Sequence, residues 1–175
     1  MPNADFWPVI AEKHKRFFAL TDNLGPTIDK VFGVGMSEPL HKVWRYLAKM
    51  TANSLSAVTL LGLNGFGIDA LKVARSMFEV SVVIAYLRRH PEEVDDYLDF
   101  HFLVAMKRHR YMEKYAPHLL TRISPEAIAK TQAGFARVVH RFTHKGRVRG
   151  HWCNQSFAGM CADADPKFEE LYLTP

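Results

Sequence analysis

Residues 68–90 read IDALKVARSMFEVSVVIAYLRRH, and this stretch decides the fold. Most of it is apolar, from Ile68 and Leu71 through Met77, Phe78, Val82 and Val83 to Leu87. The polar residues Asp69, Lys72, Arg75, Ser76 and Glu79 recur at steps that gather them into one narrow stripe of an α-helix. A helix apolar almost all round belongs in a core. The sequence therefore predicts an all-α, single-domain bundle of five to seven helices around a central buried helix at about 68–90. Lys72, Arg75, Ser76 and Glu79 then form a buried polar stripe or line a small-ligand pocket. Arg75 and Glu79 stand four apart and can pair, which they must do in a core, because a lone buried charge is costly.

Helical periodicity continues on both sides of this stretch, with almost no strand signal. Upstream, Asp5 and Pro8 suit the start of a helix running to about Leu24, with Phe17, Phe18 and Leu20 inward and Gly25-Pro26 as its stop. A weak helical turn at Thr27–Phe32 would end at Gly33-Val34-Gly35. Ser37 and Pro39 open a long helix to about Leu63. Asn64-Gly65-Phe66-Gly67 then reads as a turn between packed helices, not a phosphate loop, because no Gly-Lys-Ser/Thr follows. Downstream, His90-Pro91 breaks the chain and opens a helix to about Tyr115. Its acidic start, Glu92 to Asp99, and basic end, Lys107 to Lys114, suit the helix dipole. Ser124-Pro125-Glu126 opens a helix to about Lys145, ended by Gly146. Short helices from about Gln155 to Ala162 and Pro166 to Tyr172 close the chain. The expected organisation is one domain over 1–175: an N-terminal helix and linker (1–35), core helices (37–145), and a basic loop with short helices (146–175).

Charge is distributed unevenly. The 175 residues carry a net charge of +5, and the segment Arg137–Arg149 alone holds five cations. No acidic residue occurs between Glu126 and Asp163. A local cluster of this kind points to an anionic partner, or to a solvated helix end stabilised by the macrodipole. Two cysteines, Cys153 and Cys161, make no disulfide framework. No apolar run reaches the ~20 residues of a membrane span, and the N-terminus lacks a signal-peptide pattern. The expectation is a cytoplasmic protein with no membrane association.

Within the basic segment, Arg141, Lys145, Arg147, Arg149 and His151 gather donors for phosphate, with Phe142 and Trp152 for stacking. RNA or another polyanion is the partner this composition fits. Arg137 and His144 have a spacing that resembles the Arg-x(4–6)-His motif of HEPN (higher eukaryotes and prokaryotes nucleotide-binding) ribonucleases, a resemblance that implies a metal-independent reaction with the histidine as acid–base and the arginine on the charged phosphorane. Basic helices also generate this spacing as plain surface charge. His140 and His144 fall at i and i+4, a metal-ligand spacing on a helix. Arg141 occupies the place of a catalytic glutamate and no third ligand is identifiable, so no metal and no cofactor are expected. Cys153 follows His151-Trp152, but adjacency in sequence is not a catalytic dyad. Cys161 reads as a small core residue.

The run Asp69–Phe100 resembles an uncharacterised bacterial all-helical family. The resemblance rests on Ala70-Leu71, Arg75-Ser76 and Glu79, then His90-Pro91, then Tyr97-x-x-Phe100, with His151-Trp152 and Ser156 as a second patch. It extends from about Leu40 to Tyr172. The family is similar to HEPN-type helical proteins. That resemblance implies a toxin or phage-defence setting and a serine- and histidine-containing segment beyond the final tyrosine, where this sequence ends at Pro175. Two functions fit these residues: RNA-directed chemistry through Arg137–His151, or a non-catalytic helical interaction module, a homodimer being its simplest form.

Overall fold

The computed structural model describes residues 7–32 and 38–173. Among them stand eight α-helices, three short 3₁₀ helices and one two-stranded hairpin. The all-α class expected from periodicity is observed, with one helix more than the upper expectation. The chain forms two compact units, Met1–Pro91 with Phe157–Pro175, and Glu92–Ser156.

In the first unit α1 covers Trp7–Lys13 and α2 Lys15–Phe32. The expected stop at Gly25-Pro26 is overturned, because α2 runs through Pro26. Proline there forfeits one rung of the ladder, and the break falls at His14 instead. Phe17 and Leu20 are exposed, not inward. Asp5, Gly33-Val34-Gly35 and Ser37, expected as caps and a stop, lie outside the described residues.

Helix α3 (Pro39–Leu63) begins with proline in its first turn, as expected. Its end shows why the glycine at 65 is needed. Gly65 has φ +82°, its N–H donates to Gly62 O at 3.1 Å, and the Phe66 N–H donates to Leu61 O at 2.9 Å. This is a Schellman ending, which satisfies two orphan carbonyls and turns the chain into α4 (Gly67–Arg89).

Helix α4 corrects the central expectation. It packs on α3 and on α7 (Phe157–Ala164), and it buries Ala70, Val82, Tyr86 and Leu87. Burial changes along its length: in the first half Ile68 and Leu71 are 75% and 70% exposed, whereas no residue from Val80 to Leu87 is exposed. The polar stripe lies in that exposed first half. Lys72 pairs with Asp69 at 2.9 Å and Arg75 with Glu79 at 3.3 Å, both exposed. The ions stay where water solvates them, which avoids the desolvation cost a core would impose. The helix is thus buried in its second half and not over its whole length, and Lys72, Arg75, Ser76 and Glu79 are surface residues. Phe78 joins Phe157 and Phe168 in edge contacts at 6.1 and 5.8 Å, which seats α7 and α8 (Pro166–Leu173). At the end of α4, His90 Nε2 meets Asp163 Oδ2 at 2.6 Å, and Arg89 reaches the same aspartate.

The second unit starts within a 3₁₀ turn, Pro91–Glu93, and continues as α5, Val94–Tyr115. A 3₁₀ segment, Pro117–Arg122, leads to α6, Pro125–Val138. Ser124 Oγ accepts the Ala127 N–H at 3.2 Å, the cap its sequence position calls for. Leu103, Val138 and Phe142 form the core here, with Phe100, Phe102 and Phe135 packed against them. Gly134 lets α6 approach α5: a Cβ at this position would fall within 3.0 Å of the Phe102 ring.

Candidate anion-binding face

The expected helix to Lys145 ends early. α6 stops at Val138, a 3₁₀ turn covers Val139–Phe142, and a hairpin pairs β1 (Thr143–His144) with β2 (Arg147–Val148). Its two-residue loop has φ +48° at Lys145 and +74° at Gly146. Two successive positive φ values are the signature of a type I′ turn, whose twist suits paired strands. The Arg149 N–H donates to Phe142 O at 2.8 Å and extends the pairing past β2. The helical premise for His140 and His144 therefore fails: one lies in the 3₁₀ turn and the other in a strand. Among the described residues no group of three or more His, Cys, Asp or Glu stands close enough to hold a metal.

The basic segment divides into a neutralised half and an open half. Arg137 Nη2 donates to Asp99 Oδ1 at 2.8 Å, and Arg141 Nη1 to Asp99 Oδ2 at 2.6 Å. Arg141 also donates to Asp96. The acidic start of α5 thus does more than suit its own dipole, because two of its carboxylates bind the two arginines. Arg149 is held by hydrogen bonds to Asn154 and, at 2.9 Å, to the Arg141 carbonyl. The guanidinium carbons of Arg141 and Arg149 each lie 5.7 Å from the Phe142 ring centre, a cation–π arrangement. His144, Lys145 and Arg147 are exposed on the hairpin.

The aromatic residues expected to stack on a ligand are not available. Phe142 is completely buried and Trp152 is 6% exposed. Trp152 instead packs edge-on against Tyr97 at 5.2 Å, with the His151 ring stacked beside it. Phe142 belongs to the core of the unit, and Trp152 is buried as well. Cys153 Sγ lies 3.4 Å from His151 Nδ1, so the two do meet. Burial, and secondarily the negative charge of Glu93, push the Cys153 thiol up from its ordinary value. That is the reverse of an activated nucleophile. Cys161 is fully buried, and burial pushes its thiol up as well.

A feature that sequence reading assigned only to the helix dipole completes this face. The second half of α5 carries Lys107, Arg108, Arg110 and Lys114. Tyr111 and Tyr115 lie among them, 64% and 59% exposed, with ring centres 4.6 Å apart. Val104 is 44% exposed beside them. Interleaved basic and aromatic residues were the available signal, since a dipole explains the cations and not the exposed tyrosines.

This combination defines an all-α protein with a short cationic hairpin set beside a basic, aromatic helix face. Residues 41–174 match the family of unknown function DUF5677, and the chain belongs to that family. No curated protein matches the chain, and no solved structure does.

Proposed function

We propose that this protein binds a polyanion, RNA first, through the hairpin and the basic half of α5. One observation carries the reading: Lys145 and Arg147 stand exposed on a turn of defined geometry, in a stretch without acidic residues from 127 to 162. Lys107, Arg108, Arg110 and Lys114 add positive charge from α5 of the same unit. Phosphate contacts of this kind supply affinity without sequence preference. In the ribonuclease form of the reading, HEPN-like and metal-independent, His144 serves as acid–base. Arg137 must then exchange Asp99 for the phosphorane. A defence or toxin setting and a cytoplasmic location belong to the same proposal. Among the described residues, no helix is long and apolar enough to cross a membrane.

RNA retention at low and moderate salt tests it. Binding should fall steeply with salt and weaken in Lys145→Ala/Arg147→Ala. An absence of retention at low salt would sink the proposal. The interaction-module reading draws support from a different place. Leu60, Phe66, Ile68 and Leu71 are exposed about the α3–α4 turn of the first unit, an apolar surface that a second copy could cover. Sedimentation of the wild type against Ile68→Glu/Leu71→Glu reads it directly: a single monomeric species for the wild type would remove the homodimer. The Arg75–Glu79 ligand pocket has lost its buried premise and finds no such support.

A further inference from the structure

The second unit contains a cleft of about 460 Å³ between α5, Phe135 of α6 and the chain leaving the hairpin. That volume falls within the ~300–1,000 Å³ of small-ligand sites. Phe100, Leu103, Met106, Phe135 and Val148 give it an apolar interior. Lys107, Arg110 and Arg149 line it as well, and no acidic residue does so among the described residues. An occupant must therefore combine an apolar body with negative charge. A small cation is repelled, and a neutral polar molecule leaves three cations without a counter-charge.

The cleft does not end at its own rim. Val104, Lys107 and Arg110 also border a second depression that reaches Tyr111, Lys114 and Tyr115. Little more than one helical turn, a rise of about 6 Å, separates Lys107 from Tyr111. Cations thus alternate with aromatic surface along the face: the phenylalanines of the cleft, then the cationic rim, then the tyrosine pair. An aliphatic anion would use the cleft and leave the tyrosines bare. A chain of nucleotides uses both, because each unit carries a flat base and a phosphate.

We propose that the cleft receives an unpaired nucleotide of a bound single strand. Its base lies against Phe100 and Phe135, its phosphate meets Lys107, Arg110 and Arg149, and a neighbouring base stacks on Tyr111 and Tyr115. The inference rests on the polyanion reading above and narrows it to single-stranded RNA. A duplex keeps its bases paired and stacked inside, so it reaches only the cations.

Fluorescence anisotropy on the full chain tests this with a labelled oligouridylate dodecamer and a duplex RNA of equal strand length. The single strand should bind about tenfold tighter or more, as one or two stacked bases supply. Tyr111→Ala/Tyr115→Ala, a surface change, should remove most of that preference and leave the weaker duplex binding in place. Val148→Trp, which fills the cleft, should do the same, with circular dichroism confirming that it folds. Equal affinity for strand and duplex, or a preference that survives both variants, overturns this inference and leaves the polyanion reading standing. Failure to bind either RNA overturns both. Dodecanoate, run in parallel, reads the other occupant: binding that Val148→Trp abolishes, without any strand preference, assigns the cleft to a lipid anion and overturns the inference.

Discussion

Asp99 on α5 holds Arg141 beyond the end of α6, carboxylate Oδ2 to guanidinium Nη1 at 2.6 Å. The same carboxylate, only 19% exposed, also takes Arg137. It fastens the chain entering the hairpin to the helix that carries the basic face. Replacing Asp99 with Asn should cost about 1–2 kcal/mol, the range for a charge-assisted hydrogen bond that is partly buried. It should also strengthen retention on heparin, because Arg137 loses its counter-charge and Arg141 keeps only Asp96. Arg141→Ala should cost similar stability and weaken retention. Urea midpoints and heparin elution separate the cases, and an unchanged midpoint in both variants would remove the structural role given to this pair.

Arg75 supplies the contrasting case. As one member of a buried ion pair it would cost several kcal/mol on truncation. Its side chain is 74% exposed and meets Glu79 within the same helix. Exposed pairs of this spacing contribute about 0.3–0.5 kcal/mol, and alanine is the better helix former. Arg75→Ala should leave the melting temperature within a degree or two of wild type on this scale. A large fall would restore the buried reading.

Gly134 separates helix propensity from packing. In a free helix alanine is favoured over glycine by about 1 kcal/mol. Here the added methyl would enter the Phe102 ring. The ring must turn out of its contacts or α6 must retreat from α5, so Gly134→Ala should destabilise by about 1–3 kcal/mol. Gly62 is the matched control, also helical and with open space where a Cβ would go. Gly62→Ala should stabilise. Chemical denaturation of the two variants checks the sign, and a stabilised Gly134→Ala protein would refute the close approach.

Periodicity made the helices legible, because burial of one face is a local property of the sequence. α3, α5 and the Ser124 cap lie close to where Pro39, Pro91 and Ser124 put them. The stripe on α4 was also legible as a stripe. Its environment was not, because apolar content does not say how much of a helix's length its neighbours cover. The hairpin was hidden for a different reason. Two residues per strand are too few to show alternation, and Lys145 occupies a left-handed position where Asn or Asp would have announced the turn. The ion pairs at the candidate site join residues 38 to 45 positions apart. No local pattern reports such a contact, so a cluster that reads as five free cations includes two that are bound.

The thiols offer a test of burial through pH. Burial pushes both Cys153 and Cys161 up from their ordinary values. In the unfolded chain a thiol ionises near pH ~8.5, while in the folded chain it resists. Below that pH both states hold the proton and the shift contributes fully to stability. As pH rises through it, the unfolded state loses protons first, so folding stability should fall. A double Cys153→Ala/Cys161→Ala variant should lose this alkaline component, whatever its stability at neutral pH. Iodoacetamide supplies the second measurement. Because the thiolate is the nucleophile, both cysteines should react slowly at pH 8 in the folded protein and at the free-thiol rate in denaturant. Rapid labelling of Cys153 in the native protein would mean that its contact with His151 activates the sulfur, and the nucleophile set aside at the site would have to be reinstated.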